Sequence, residues 1–568
     1  MYTRTDADIP RPWYTSRKLW WVLFTVVVLL IIAEIVVRTV VGPEFIQERI
    51  NRKLTASNSG YRVEIGDVST SLLLRRVIAS AVTISDTVQS EQHRLLTVDT
   101  IAITGLNPFT SWRKKGISTH QIRIKGPVVT IADVPILKYQ ASTAVPTIHY
   151  AQYTDPKPEI DTLINQLNLK VARKMPYLNC DELVIDSGSL TLGHIRKKDT
   201  LFITATEINV KVSDILFDTA NTESMSKLLF ARNFTFDING PHQIVGDSLY
   251  EYRIGHLTGS SDSGTIKLDS ASIALIVSEE EFAARSEYWA YQFKAAVRGL
   301  VLHDVDFTRL LYQQIVLRHL EIDSSYFYMF SDKRKPKNPK QTEPLMANKA
   351  FQKIPWYIQV DSISIHSGKA TYAERSDDGT RPGTISFSHT KALVRNVTNN
   401  PERMTDSTPA VFLLEGRLED STDVSASMHI PLLSKNFNMS YRGITGKMDA
   451  RILNSMFIDL EGYRITSGKV DSVKFDITIK NGHATGTMIA PYHDLDAELI
   501  SKEDHKQGLL NKIKSFVFDL TKLRNDNIPG ESYKVGQVDF AADPYDPFMK
   551  VIWASLRSGI FSLIGVAK

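Results

Sequence analysis

Hydrophobic and polar positions follow two different rhythms along this chain. From Leu19 to Val41 apolar residues are almost uninterrupted, and as a helix that run reaches about 35 Å, enough to cross a hydrocarbon core with some tilt. A transmembrane helix is predicted there. Trp20 and Trp21 stand at its near boundary beside Arg17 and Lys18, the aromatic and basic pairing that anchors a span at the membrane interface. Glu34 and Arg38, one turn apart near the far end, can pair with each other while Arg38 reaches outward. Phe45, Ile46, Ile50 and Leu54 then keep helical spacing, which predicts a stalk that continues the anchor.

After the stalk the period drops to two. Leu320, Ile322, Ser324, Tyr326, Tyr328 and Phe330 share one parity, and Val473, Phe475, Ile477 and Ile479 alternate with Lys474, Asp476 and Thr478. Such alternation predicts strands with one face covered and the other wet. The residues expected on the covered apolar face, whether it closes a core or lines a groove, are Val473, Phe475, Ile477, Ile479, Ile322, Tyr326 and Tyr328. Thr265 to Ser278 and Leu201 to Val212 are apolar on parts of both faces, as in more enclosed strands. Helical spacing returns in three places: from Asp155-Pro156 through Val171, from Asp449 to Asp459, and from Phe548 to Ile564, whose apolar stripe suits a cap on a sheet end.

Punctuation divides this body. The segment SDKRKPKNPKQTEP, Ser331 to Pro344, is basic and proline-rich and reads as a solvated linker between two β-rich halves. An Ile-x-Ser-Gly pattern recurs at Ile185 to Gly188, Ile365 to Gly368 and Ile465 to Gly468, suggesting a loosely repeated meander in which a strand ends in a glycine turn. The expected organisation is a head at 1–18, the span at 19–41, β-rich halves at 42–330 and 346–547 flanking a linker at 331–345, and a terminal amphipathic helix at 548–568.

Composition narrows the chemistry. A formal net charge of +4 argues against nucleic acid as the partner. A single cysteine, Cys180, rules out an intrachain disulfide and a multi-cysteine metal cluster. Phosphate-loop, zinc-protease, serine-hydrolase, calcium-loop and dinucleotide fingerprints are all missing from the sequence. His303 with Asp304 and Asp306 has no third partner at ligand spacing. Neither a cofactor nor a metal nor a catalytic residue is expected. A carboxylate pair assembled only by the fold, as in glycosidases, is the enzyme reading left open.

The order of these parts resembles the AsmA-like family of Gram-negative envelope proteins, in particular its shorter Bacteroidetes-type members. The resemblance rests on Ile50-Asn-Arg-Lys-Leu54 after the span, Gly60 to Val68, Ser71-Leu-Leu-Leu74, Leu453-Asn454, Gly482 to Gly486, Pro491 to Leu495 and Trp553 to Gly559. It implies a mainly β fold, with an N-terminal transmembrane helix followed by an elongated, taco-shaped β-sheet groove and a few amphipathic helices. It further implies an inner-membrane anchor with a cytoplasmic N-terminus and a periplasmic body that carries phospholipids toward the outer membrane or an envelope partner protein. A scaffold or assembly factor for outer-membrane proteins and a membrane-bound hydrolase are the alternative functions.

Overall fold

The computed structural model describes residues 28, 32, 34 and 43–565, except 57–60, 72–74, 87–93, 132–176, 196–199, 219–230, 246–248, 312–313, 337, 339–345, 355, 378, 501–522, 531–532, 544–545 and 547. The expected span at 19–41, with Trp20, Trp21 and Arg38, and the helix expected from Asp155 lie outside the described residues. Val28, Ile32 and Glu34 are helical, and Glu34 is buried. No helix among the described residues is long and apolar enough to cross a membrane.

The two-residue period produces a mainly β protein that divides into two compact units. The first comprises Met1–Val134, Ile164–Phe202 and Thr206–Thr235. Its stalk helix α1 (Pro43–Ala56) opens on Pro43 and Glu44, a proline and an acid suited to a helix start. Strands β1 (Tyr61–Ser71), β2 (Arg76–Asp86) and β3 (Arg94–Thr104) form an antiparallel meander. Helix α2 (Pro108–Lys114) follows, capped by the Asn107 side chain, which accepts the Thr110 amide. Strands β4 (Ile117–Lys125) and β5 (Val128–Ile131) lie antiparallel to β3 and parallel to β6 (Tyr177–Ile195); β7 (Thr200–Asp218) comes next in the chain. Val63, Val82 and Val98 form one buried cluster, and Cys180, Val212, Ile215 and Ala231 another.

The second unit contains Phe236–Lys568. Its strands begin with β8 (Asn233–Val245), β9 (Tyr250–Ile254), β10 (His256–Ser260), β11 (Thr265–Leu275) and β12 (Tyr291–His303). They continue through β13 (Gln314–Asp332), β14 (Tyr357–Arg375), β15 (Gly383–Thr398), β16 (Ala410–Leu418), β17 (Thr422–Ile430) and β18 (Met439–Thr445). β19 (Met448–Asp449), β20 (Tyr463–Val470) and β23 (Tyr492–Leu499) form a separate three-stranded sheet, while β21 (Lys474–Lys480), β22 (His483–Ile489) and β24 (Gly536–Ala541) extend the main one after β18. Neighbours from β11 to β18 pair in chain order, antiparallel throughout except for β13 and β14, which are parallel. The α-helices among its described residues are α3 (Glu279–Arg285), α4 (Phe307–Leu311), α5 (Ala347–Gln352), α6 (Asn454–Glu461) and α7 (Phe548–Ile564).

Two sequence expectations change here. The basic segment after Phe330 joins two adjacent parallel strands of one unit, because β13 pairs with β14 from Gln314 to Asp332. Its first residues are built into the fold: Ser331 and Asp332 are buried, Asp332 pairs with Arg334 and Arg375, and Lys333 pairs with Glu374. A parallel pair needs a crossover, so the segment is a loop within one unit rather than a linker between two halves. The Ile-x-Ser-Gly pattern does not end strands either, since β6, β14 and β20 run straight through it. It marks irregular pairing: register slips flank Gly368 against β15 and Ser467 against β23. A Cβ on Gly368 would come 3.0 Å from Ser325 Oγ and 3.2 Å from the Thr390 carbonyl, so glycine admits a close neighbour at a bulge.

Candidate ligand-binding sheet face

Pairing register decides which side chains share a face, because directly opposed residues point the same way. In the second unit, Leu302, Leu320, Ile363, Val394, Phe412 and Met428 are consecutive partners across β12 to β17. One pleat further along, Leu300, Ile322, Ile365, Ala392, Leu414 and Ala426 are partners in the same way. Two apolar ladders thus run side by side over six strands. Most of their members, including Leu320, Ile363, Ile365, Phe412, Leu414 and Met428, are only half-buried. At about 4.8 Å per strand the stripe is roughly 25 Å long.

The expected groove residues fall on this same face. Ile322 is a rung of the second ladder; Phe475 prolongs it through Gly443, and Ile477 prolongs the first through Tyr441. Their fates differ. Ile477 and Ile479 have no exposed surface and pack in a cluster with Tyr441, Val538 and Val551. The cover is α7, so at β21 the row forms protein core rather than open groove. Phe475 is half-buried and lies against Tyr441 and over Gly443. Val473 packs beside another cluster that includes Phe457, Trp553 and Phe561. Tyr326 and Tyr328 share the ladder face but stand beyond a polar rung of Arg298, Ser324 and Ser367. Tyr326 is exposed, and Tyr328 meets the Lys294 ammonium, 5.1 Å from its ring centroid.

The opposite face is mainly polar but not wholly so: Glu321, Ser364, Leu393, Leu413, Ser427, Arg442 and Asp476 are successive partners there. A trough of about 940 Å³ between β14 and β22 is lined from both rows, by Ile365, Leu414 and Phe475 of the ladder as well as Lys391, Glu415 and Lys474. Lys474 and Asp476 are exposed, as the alternation predicted. The first unit has its own apolar ladders, Val77–Ile103–Ile122–Leu183 and Ala79–Ile101–Ile124–Ile185, again half-buried.

A buried ionic cluster near α7 was not visible in the sequence. Lys333 bonds Glu374, whose other oxygen accepts the Tyr372 hydroxyl. Burial works to raise the Glu374 carboxyl, but the Lys333 charge and the hydrogen bonds from Lys333 and Tyr372 outweigh it and hold the group below the usual carboxylate range. Burial pushes the Tyr291 and Tyr372 phenols well above theirs. Elsewhere, His303 lies 3.7 Å from Glu321 and stacks on His319, while Asp304 and Asp306 pair with Arg318 and Arg309. No group of three or more His, Cys, Asp or Glu that could hold a metal occurs among the described residues. Neither a family model nor a curated protein matches the sequence.

Proposed function

We propose that this protein is a membrane-anchored carrier that holds phospholipid acyl chains along the apolar ladder face of its sheets, with the body in the periplasm and the span at 19–41 in the inner membrane. The observation that carries this reading is the pair of six-strand apolar ladders, most of whose members are left half-buried, with a mainly polar row opposite. A closed core would hide both rows. Burying apolar surface contributes about 25 cal/mol per Å², so a row left open at this length is matched to an apolar occupant. Lipid exchange through such a face requires no catalytic residue and no metal.

Photo-crosslinking in membranes tests it. A crosslinking residue at Leu414 should capture phospholipid, and one at Glu415, on the polar face of the same strand, should capture little. Equal capture at both positions, or adducts from Leu414 only to this chain's own peptides, would remove the carrier reading.

A further inference from the structure

We propose that α2 is a second membrane contact, in which Phe109 and Trp112 enter the bilayer interface beside the anchor while Arg113 and Lys115 meet anionic lipid headgroups. The inference rests on reading 19–41 as a span. Its first support is exposure: Trp112 is 79% and Phe109 68% exposed, the highest values among the exposed large hydrophobic side chains of the described residues. Two aromatic rings in water on one seven-residue helix gain nothing for the fold, whereas aromatic rings flanked by cations suit an interface. Arg113, Lys114 and Lys115 follow directly, and Arg75 lies at the same end, where its carbonyl accepts the Leu106 amide. Lys114 is held by Asp218 and the Tyr177 ring. Arg113, Lys115 and Arg75 meet no carboxylate among the described residues and are exposed.

The second support is direction. Asn51 of α1 bonds the backbone of Val63 at 2.8 and 2.9 Å, and Gln47 accepts the Ile65 amide at 3.0 Å. The helix therefore runs antiparallel to β1, with its N-terminal end toward Ser71. Ser71 pairs with Arg76, Arg76 pairs with Thr104, and α2 follows immediately. The end of the first unit that carries α2 is thus the end toward which the N-terminus of α1 points, the side from which a preceding span would enter.

Cys180 is buried, so a cysteine introduced on the surface of the full-length protein is the thiol a polar fluorophore reaches. Trp112→Cys, Phe109→Cys and Arg62→Cys, the last at the far end of β1, would each be labelled and reconstituted in vesicles of phosphatidylethanolamine and phosphatidylglycerol. Labels at 109 and 112 should shift to the blue and be quenched several-fold more by nitroxide lipids than the label at 62. Arg113→Gln with Lys115→Gln should weaken that quenching at 112, and so should replacing both lipids with phosphatidylcholine. If the protein floats with the vesicles while 112 is as wet as 62, the proposal is overturned and this end meets water or a protein instead. Failure to float overturns the anchor reading together with it. Because the readout needs no lipid transfer, a carrier reading that fails elsewhere leaves it intact.

Discussion

Glu374 shows how single residues hold the end of the second unit together. Its carboxylate is largely enclosed, with Lys333 and Tyr372 as direct partners and Lys550 of α7 close enough to act on it. A carboxyl held below its unfolded pKa contributes stability that is present above that pKa and is lost as pH falls through the folded value. The unit should therefore lose stability below about pH 4, the ordinary range of a glutamate. Lys333→Met would leave the enclosed charge without its direct cation, at a cost on the order of 3 kcal/mol, and would let Glu374 take up its proton at higher pH. Urea melts at neutral and mildly acidic pH should show a lower midpoint and an earlier acid transition in the variant. Adding Glu374→Gln should recover most of the loss. Unchanged midpoints would mean that the pair contributes nothing. No local pattern announced this cluster, because its members come from the turn after β13, from β14 and from α7, and its lysine stands in a segment whose prolines and charges read as solvent-exposed.

At the scale of elements, periodicity was a good guide to what forms and a poor guide to what covers it. The alternation from Leu320 to Phe330 lies inside β13, that from Val473 to Ile479 opens on β21, and the stripe from Phe548 to Ile564 is α7 residue for residue. The seating of α7 is tertiary and left little trace. A Cβ on Gly536 would come 2.5 Å from the Gly559 carbonyl, and one on Gly559 would come 2.9 Å from Val538. Two glycines thus let helix and sheet approach more closely than side chains allow. Gly536→Ala puts a methyl against backbone, which cannot swing aside, and should cost about 1–3 kcal/mol by overpacking. Hydrogen exchange over 548–564 should quicken in that variant while exchange in β13 stays as in the wild type. Unchanged protection of α7 would show that its seat tolerates the shift. The Ile-x-Ser-Gly pattern taught the same lesson, since a glycine reads alike in sequence whether it turns a chain or relieves a bulge.

Across the whole molecule, the same apolar face serves as open row in one stretch and as core in another, and a charge placed on it distinguishes the two. Leu414 and Ile477 belong to the two neighbouring ladders, six strands of which lie half-buried before α7 closes over the continuation at β21. An isolated carboxylate in a dry interior costs far more than the roughly 1.5 to 3 kcal/mol an apolar side chain contributes by burial. Ile477→Asp puts that carboxylate at a site with no exposed surface, against Tyr441, Val538 and Val551, and the second unit should unfold or lose α7. At Leu414 water can reach the new group, so Leu414→Asp should keep the fold, with a shift in unfolding midpoint no larger than about 1 kcal/mol, typical of a surface change. Its effect should fall on cargo instead. The Leu414→Asp protein purified in mild detergent should retain several-fold less phospholipid than the wild type by mass spectrometry, and Glu415→Gln, on the polar face, should retain the wild-type amount. If Leu414→Asp unfolds the unit as Ile477→Asp does, the ladders are core throughout and no groove exists. If it folds and holds a full complement of lipid, whatever the protein carries binds elsewhere.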